Sequence, residues 1–344
     1  MRLKANHLTI LRIILLPIPY FLIFQGTWHR VVALIIIAIL GFTDYFDGIL
    51  ARKYGTTALG KLLDPIADKI FVAVLFLPLV TLGILPLWIV WLIFLREFIV
   101  TELRRFTGEG TKVLSVTELA KIKTTLQMVG GGLILITATF TSKMELEYFL
   151  GLFLFLSLVG ILYKYLKNKQ LNRRLIIFSS FVLLSMLIRY LFDIKYTCLI
   201  YGIIILLITL ISGLQYICVS FPLCIKEGHL AFFKLLLSIT LPLGVLALLK
   251  YIPQYSNIIL LILCIEFGVQ GLDLWALHEG GIDLSWIKRW LILPFSILLF
   301  LVLYLIFNNL YFALKIMLYF IAITIIAYGI LDIYLNHRLF HVEL

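Results

Sequence analysis

A chain of 344 residues in which 63% are hydrophobic and only 14% charged lies far outside the roughly 45–50% apolar and about 25% charged of soluble domains. This excludes a soluble globular enzyme and, at about 20 apolar residues per crossing, predicts an all-α polytopic membrane protein of about twelve spans. The formal charge of +11 does not point to nucleic acid, because Lys and Arg fall between the apolar runs, where they set orientation in the bilayer and meet anionic lipid head groups.

In chain order, apolar runs near 8–26, 31–51, 62–83, 85–105, 117–140 and 145–166 predict six helical spans. Runs near 174–194, 196–219, 229–250, 256–276, 287–307 and 310–335 predict six more. Arg2 and Lys4 precede the first span, Arg52, Lys53 and Lys61 follow the second, and Arg104, Arg105, Lys112, Lys121 and Lys123 surround the next return loop. The alternate loops carry little more than His29 with Arg30, the nearly uncharged 82–87, and Lys143 among acidic neighbours. The positive-inside rule therefore places the basic loops and both termini in the cytoplasm. No small-residue cleavage site follows the first run, so that segment is expected to be retained. The basic cluster Lys164, Lys167, Lys169, Arg173 and Arg174 divides the chain into 1–168 and 174–344, and the second part does not repeat the first.

Chemistry concentrates where the second span ends and the third begins. The chain reads Asp44-Tyr-Phe-Asp47-Gly48-Ile-Leu-Ala51-Arg52 and then, after seven residues, Gly60-Lys-Leu-Leu-Asp64-Pro-Ile-Ala-Asp68. Spacings of three and four put each aspartate pair on a single helix face. Four ionised carboxylates at the membrane edge repel one another unless a cation sits among them. All-oxygen donors favour hard Mg²⁺ or Mn²⁺ over Zn²⁺, and such ions commonly share their coordination with phosphate oxygens, which implies phosphoryl chemistry. Gly48 and Gly60, with no Cβ, and the small Ala51 leave room for a bulky nucleotide against the backbone. Arg52 suits either a phosphate or a carboxylate. The alternative, a purely structural salt-bridge network neutralised by Arg52, Lys61 and Lys69, is disfavoured by the expense of four carboxylates at this depth.

These residues match the signature D-x2-D-G-x2-A-R-x7/8-G-x3-D-x3-D at every fixed position, and residues 1–168 resemble the CDP-alcohol phosphatidyltransferase family. Asn6-His-Leu-Thr9-Ile-Leu-Arg12 with Pro17, the run Leu63 to Lys69, Arg96-Glu97, Leu103-Arg104 and Lys121-Ile-Lys123-Thr124-Thr-Leu-Gln127-Met128 look like its phosphatidylglycerophosphate synthase branch. Ala120 departs from the glycine usual in that branch, which bears on the acceptor pocket. The resemblance implies a six-helix catalytic core and two metal ions on Asp44, Asp47, Asp64 and Asp68, with Asp68 as general base. It further implies a CDP site at Asp47, Gly48, Ala51, Arg52 and Gly60, and a homodimer. The expected reaction joins CDP-diacylglycerol to glycerol 3-phosphate and releases CMP. Its phosphorylated acceptor needs cationic partners, and the topology offers Arg96, Arg104, Lys121 and Lys123. Arg96 lies deep in its span, with Glu97 as the expected counter-charge. Phosphatidylglycerol or an inositol phosphate as acceptor, or a non-catalytic scaffold or lipid transporter, are the alternatives.

The second half carries no motif tied to chemistry. Cys198, Cys218, Cys224 and Cys264 have no metal-ligand spacing and are read as apolar fillers. Arg189, Lys234, Glu266, Asp273, Lys315 and Asp332 interrupt apolar stretches. Only Glu266 sits near a span centre, with Lys234 as a candidate partner. The polar segment from Asp273 to Asp283 reads as a loop beside a span.

Overall fold

The computed structural model describes residues 5–54, 58–106, 118–140, 142–169, 173–278 and 285–337, and every regular element among them is helical. The first predicted span is two helices, α1 (Ala5–Leu15) and α2 (Pro17–Ile23). Proline has no N–H to extend the helix before it and its fixed φ suits a first helical position, so the break falls at Leu16. Gly26, at φ +133°, turns the chain into α3 (Thr27–Tyr54). There Arg30 donates from Nε to the Ile23 carbonyl at 3.0 Å, satisfying an acceptor at the end of α2.

Next come α4 (Ala58–Thr81), α5 (Leu87–Leu103) with a 3-10 turn at Arg104–Phe106, α6 (Glu118–Thr139) and α7 (Lys143–Asn168). The second half supplies α8 (Arg173–Leu191), α9 (Ile194–Lys226), α10 (His229–Ala247), α11 (Ser256–His278), α12 (Ser285–Phe307) and α13 (Leu310–Leu335). The expected span at 196–219 thus runs on through Pro222 to residue 226. Among the described residues, six helices are long and apolar enough to cross a membrane, one of them α7 and five in the second half. The chain is an all-α integral membrane protein.

The centre is α4. Phe71, Val72, Ala73, Val74, Leu75, Phe76 and Leu77 are all buried, and seven consecutive residues cover the whole circumference of a helix, so α4 is enclosed on every side. Its neighbours are α1, α2, α5 and α6 from the first half and α11 from the second. α5 lies between α4, α9 and α10, and α6 packs on α3, α4 and α9. The halves therefore share one interior. Phe267 of α11 stacks on Phe98 of α5 with ring centroids 4.6 Å apart, and the Trp91 indole N–H donates to the Leu243 carbonyl at 3.2 Å. Close approach is made possible by glycine. On Gly271 of α11 a Cβ would lie 2.5 Å from Ile66 Cδ1, and on Gly202 of α9 it would lie 2.9 Å from Leu85 Cδ2. Such small residues are the usual means by which helices pack in lipid. The pairs α7–α8 and α12–α13 lie at the periphery: each lends a few buried residues to the core, such as Leu150 and Ile325, and exposes large apolar side chains such as Phe155, Leu162, Phe295 and Leu305, as a lipid-facing surface does.

Candidate active site

Asp64 and Asp68 stand one turn apart on α4, both half-buried. On α1, Thr9 and Arg12 are three apart, so the two helices present matching ladders. The Thr9 hydroxyl donates to Asp64 Oδ1 at 3.0 Å, and Arg12 Nη1 lies 3.6 Å from Asp68 Oδ1. Thr9 and Arg12 are buried, whereas the Asp68 side chain is 35% exposed. Two carboxylates are thus contacted by α1, and Asp68 keeps part of its side chain accessible, as a site that receives a ligand requires. Helices α1 and α6 each pack on both α4 and α3, the helix in which Asp44 and Asp47 fall.

A basic wall begins at the next residue. Lys69 donates to Thr101 Oγ1 at 2.7 Å, and the Thr101 hydroxyl donates to the Glu97 carbonyl at 2.6 Å, tying α4 to α5. Glu97 is the hub. Its carboxylate accepts from Lys123 at 2.6 Å, from Gln127 at 3.2 Å and from Arg96 Nη1 at 3.3 Å. A buried carboxylate with three donors is stable where an unpaired one is not. Arg96 also reaches Ser212 Oγ at 2.9 Å, and Gln127 reaches Thr209 Oγ1 at 3.2 Å, both on α9. Beyond the hub, Arg105 lies 3.1 Å from Glu102 and 3.5 Å from Asp273 of α11. Arg104 sits over the Tyr216 ring, 5.7 Å from its centroid. Lys69, Glu97, Glu102, Arg104 and Lys123 interact electrostatically, and Lys123 feels Asp68. An oxygen-donor edge suited to hard cations therefore adjoins a cationic wall suited to phosphate.

Comparison with known proteins bears on the same segment. Residues 2–163 match the model of the CDP-alcohol phosphatidyltransferases. Over 130 residues the chain is 37% identical to a CDP-diacylglycerol–glycerol-3-phosphate 3-phosphatidyltransferase of Rickettsia typhi, covering 37% of this chain and 73% of that protein. The chain belongs to the CDP-alcohol phosphatidyltransferase family. Another relative in the family, a probable phosphatidylglycerophosphate synthase of Mycobacterium tuberculosis, is 42% identical over 134 residues, 38% of this chain and 64% of its own length. For that relative the shared stretch is under two thirds of the protein. A third, the CDP-diacylglycerol–glycerol-3-phosphate 3-phosphatidyltransferase of Escherichia coli, is 38% identical over 130 residues, 36% of this chain and 70% of its own length. No solved structure matches the chain.

Of the residues singled out from the sequence, Asp64 and Asp68 share one face of α4, and Gly60 is buried in the first turn of that helix. Asp44, Asp47, Gly48, Ala51 and Arg52 fall on α3 and Lys121 on α6, and their side chains lie outside the described residues. Arg96 and Lys123 come together on Glu97, and Glu97 is indeed the partner of Arg96. Arg104 is half-buried nearby. Sequence reasoning assigned no site role to Thr9, Arg12, Lys69, Glu102, Arg105, Gln127, Ser212 or Asp273. A signal existed for Arg12 and Asp273, each a charge within an apolar stretch. Thr9 and Gln127 stood within the motifs that carry the family resemblance, though with no role attached, and Ser212 gave no signal.

Proposed function

We propose that the protein transfers the phosphatidyl group of CDP-diacylglycerol to glycerol 3-phosphate, yielding phosphatidylglycerophosphate and CMP. One observation carries this reading. Within the segment shared with the family, an accessible Asp64–Asp68 edge braced by Thr9 and Arg12 adjoins a wall of Lys69, Arg104 and Lys123. A donor of diphosphate chemistry and a phosphorylated acceptor need those two surfaces side by side. The names of these relatives specify the same pair of substrates.

In the reaction proposed, the 1-hydroxyl of glycerol 3-phosphate attacks the lipid-side phosphorus, a new P–O bond forms, and the bond to CMP breaks. Asp68 takes the hydroxyl proton, for which its partly accessible carboxylate is suited, while Arg12 keeps it oriented. Asp44, Asp47, Asp64 and Asp68 supply an all-oxygen donor set that fits Mg²⁺ or Mn²⁺, with two ions by family resemblance. Bound there, such ions supply charge neutralisation for the diphosphate. Asp47, Gly48, Ala51, Arg52 and Gly60 form the CDP side of the proposed site, and Arg96, Arg104, Lys121 and Lys123 the acceptor side. The site faces the cytoplasm in this reading, because basic residues gather at that end.

The test is CMP release by purified protein from CDP-diacylglycerol with Mg²⁺, with and without glycerol 3-phosphate. Release is expected to require the acceptor, to stop on chelation of the metal, and to fall by about 10² or more in Asp68→Asn, the usual contribution of a general base. Release only with phosphatidylglycerol or an inositol phosphate would keep the chemistry and replace the acceptor. No release with any alcohol would overturn the reading.

A further inference from the structure

We propose that α9 and α11, outside the segment shared with the family, form the supporting side of the acceptor pocket, with Ser212 and Asp273 as positioning residues for Arg96 and Arg105. This inference rests on the function proposed above and adds a role for the second half.

Arg96 has a long side chain with many rotamers, and α9 is shaped around it. Ser212 accepts from Nη2 at 2.9 Å, while the neighbouring Gly213 leaves the space through which the stem passes. A Cβ on Gly213 would lie 2.6 Å from Arg96 Cγ and 3.1 Å from Nε. Head and stem are thus both fixed by consecutive residues of one second-half helix. Arg105 is treated similarly by α11. The preceding helix α5 offers Glu102 to Nε at 3.1 Å, and Asp273, fully buried, approaches Nη2 of the same guanidinium at 3.5 Å. A carboxylate so placed is expensive without a charge partner, and this partner comes from the first half.

These contacts are not needed to join the halves, because stacked Phe98 and Phe267 and the glycine seats already do so. Their specific effect is orientation. Anchoring Arg105 fixes the short 3-10 turn from which Arg104 projects over Tyr216, itself on α9. Fixing Arg96 fixes Glu97, and through it Lys123. Asp64 and Asp68, by contrast, are braced by α1. Loss of the α9 and α11 contacts should therefore affect acceptor binding and leave the nucleotide lipid alone.

Initial rates of the full-length protein, with each substrate varied in turn, test this. Ser212→Ala and Asp273→Asn are each expected to raise KM for glycerol 3-phosphate about tenfold, which is about 1.4 kcal/mol, while KM for CDP-diacylglycerol stays within about twofold. Asp273→Glu, which restores the charge, is expected to recover most of the loss. Thermal unfolding of the same samples identifies a variant that fails to fold. Ser212→Ala, the removal of one neutral hydroxyl, then carries the test. Unchanged KM for glycerol 3-phosphate in an acceptor-dependent wild type, or equal shifts for both substrates, overturns this inference alone. A wild type that ignores glycerol 3-phosphate overturns the underlying function as well.

Discussion

Thr9 contributes one hydroxyl, and in the structure that hydroxyl decides where Asp64 points. Replacing it by valine keeps the shape of the side chain and removes the donor. The carboxylate can still ionise but is no longer held, so Thr9→Val should lower kcat about tenfold with a small change in melting temperature, read from CMP release and thermal unfolding. An unchanged kcat would show that Asp64 does not need the brace. The same bond explains what the sequence could and could not reveal. Asp64 and Asp68 stand four apart along one helix, and that spacing declares a shared face, while Arg96 and Glu97 are adjacent in the chain. Thr9 and Asp64 are 55 positions apart, and Arg96 and Ser212 are 116 apart. No periodicity connects such pairs, so the aspartates were legible but their pairing with Thr9 and Arg12 was not.

At the scale of the element, hydrophobic runs located the helices well but not how they begin, end or touch. The split between α1 and α2 follows from Pro17, a residue visible in the sequence whose effect inside an apolar run depends on whether neighbours compensate for the lost hydrogen bond. Contact depth is less visible still, as the adjacent glycines of α6 illustrate. At Gly131 a Cβ would lie 2.9 Å from Leu75 Cγ and 3.1 Å from Phe76 Cε2, both on the enclosed helix α4, whereas at Gly132 it would meet nothing within 4 Å. Gly131→Ala should therefore destabilise the protein by about 1–3 kcal/mol through overpacking. Gly132→Ala should be neutral or stabilising by up to about 1 kcal/mol, from reduced backbone entropy. Unfolding of both variants in one detergent checks the contrast, and equal effects would mean that α6 does not seat on α4 in this register.

For the whole molecule, the basic cluster at 164–174 invites a division into two independent membrane units, yet α9, α10 and α11 lie directly against α4, α5 and α6. The sequence could not reveal this, because a helix face that meets lipid and one that meets another helix are both apolar. What distinguishes them is small residues and isolated polar groups, such as Gly202, Gly271 and Asp273, whose partners lie far away along the chain. An interface of this kind should survive loss of the connection. A chain opened between α7 and α8 and produced as two coexpressed pieces is expected to be recovered as a complex through a tag on either piece. Recovery of the tagged piece alone would mean that the shared interior does not hold without the covalent link.

Helix α9 has 33 residues, about 50 Å at the α-helical rise, against a hydrocarbon layer of about 30 Å. Such a helix must lean or protrude, and the mismatch changes with the acyl length of the surrounding lipids. Because Thr209, Ser212, Gly213 and Tyr216 all ride on α9, its tilt is mechanically linked to the arginines and the glutamine they touch. Bilayer thickness thereby becomes a physical input to the acceptor side of an enzyme proposed to supply that bilayer's own lipids.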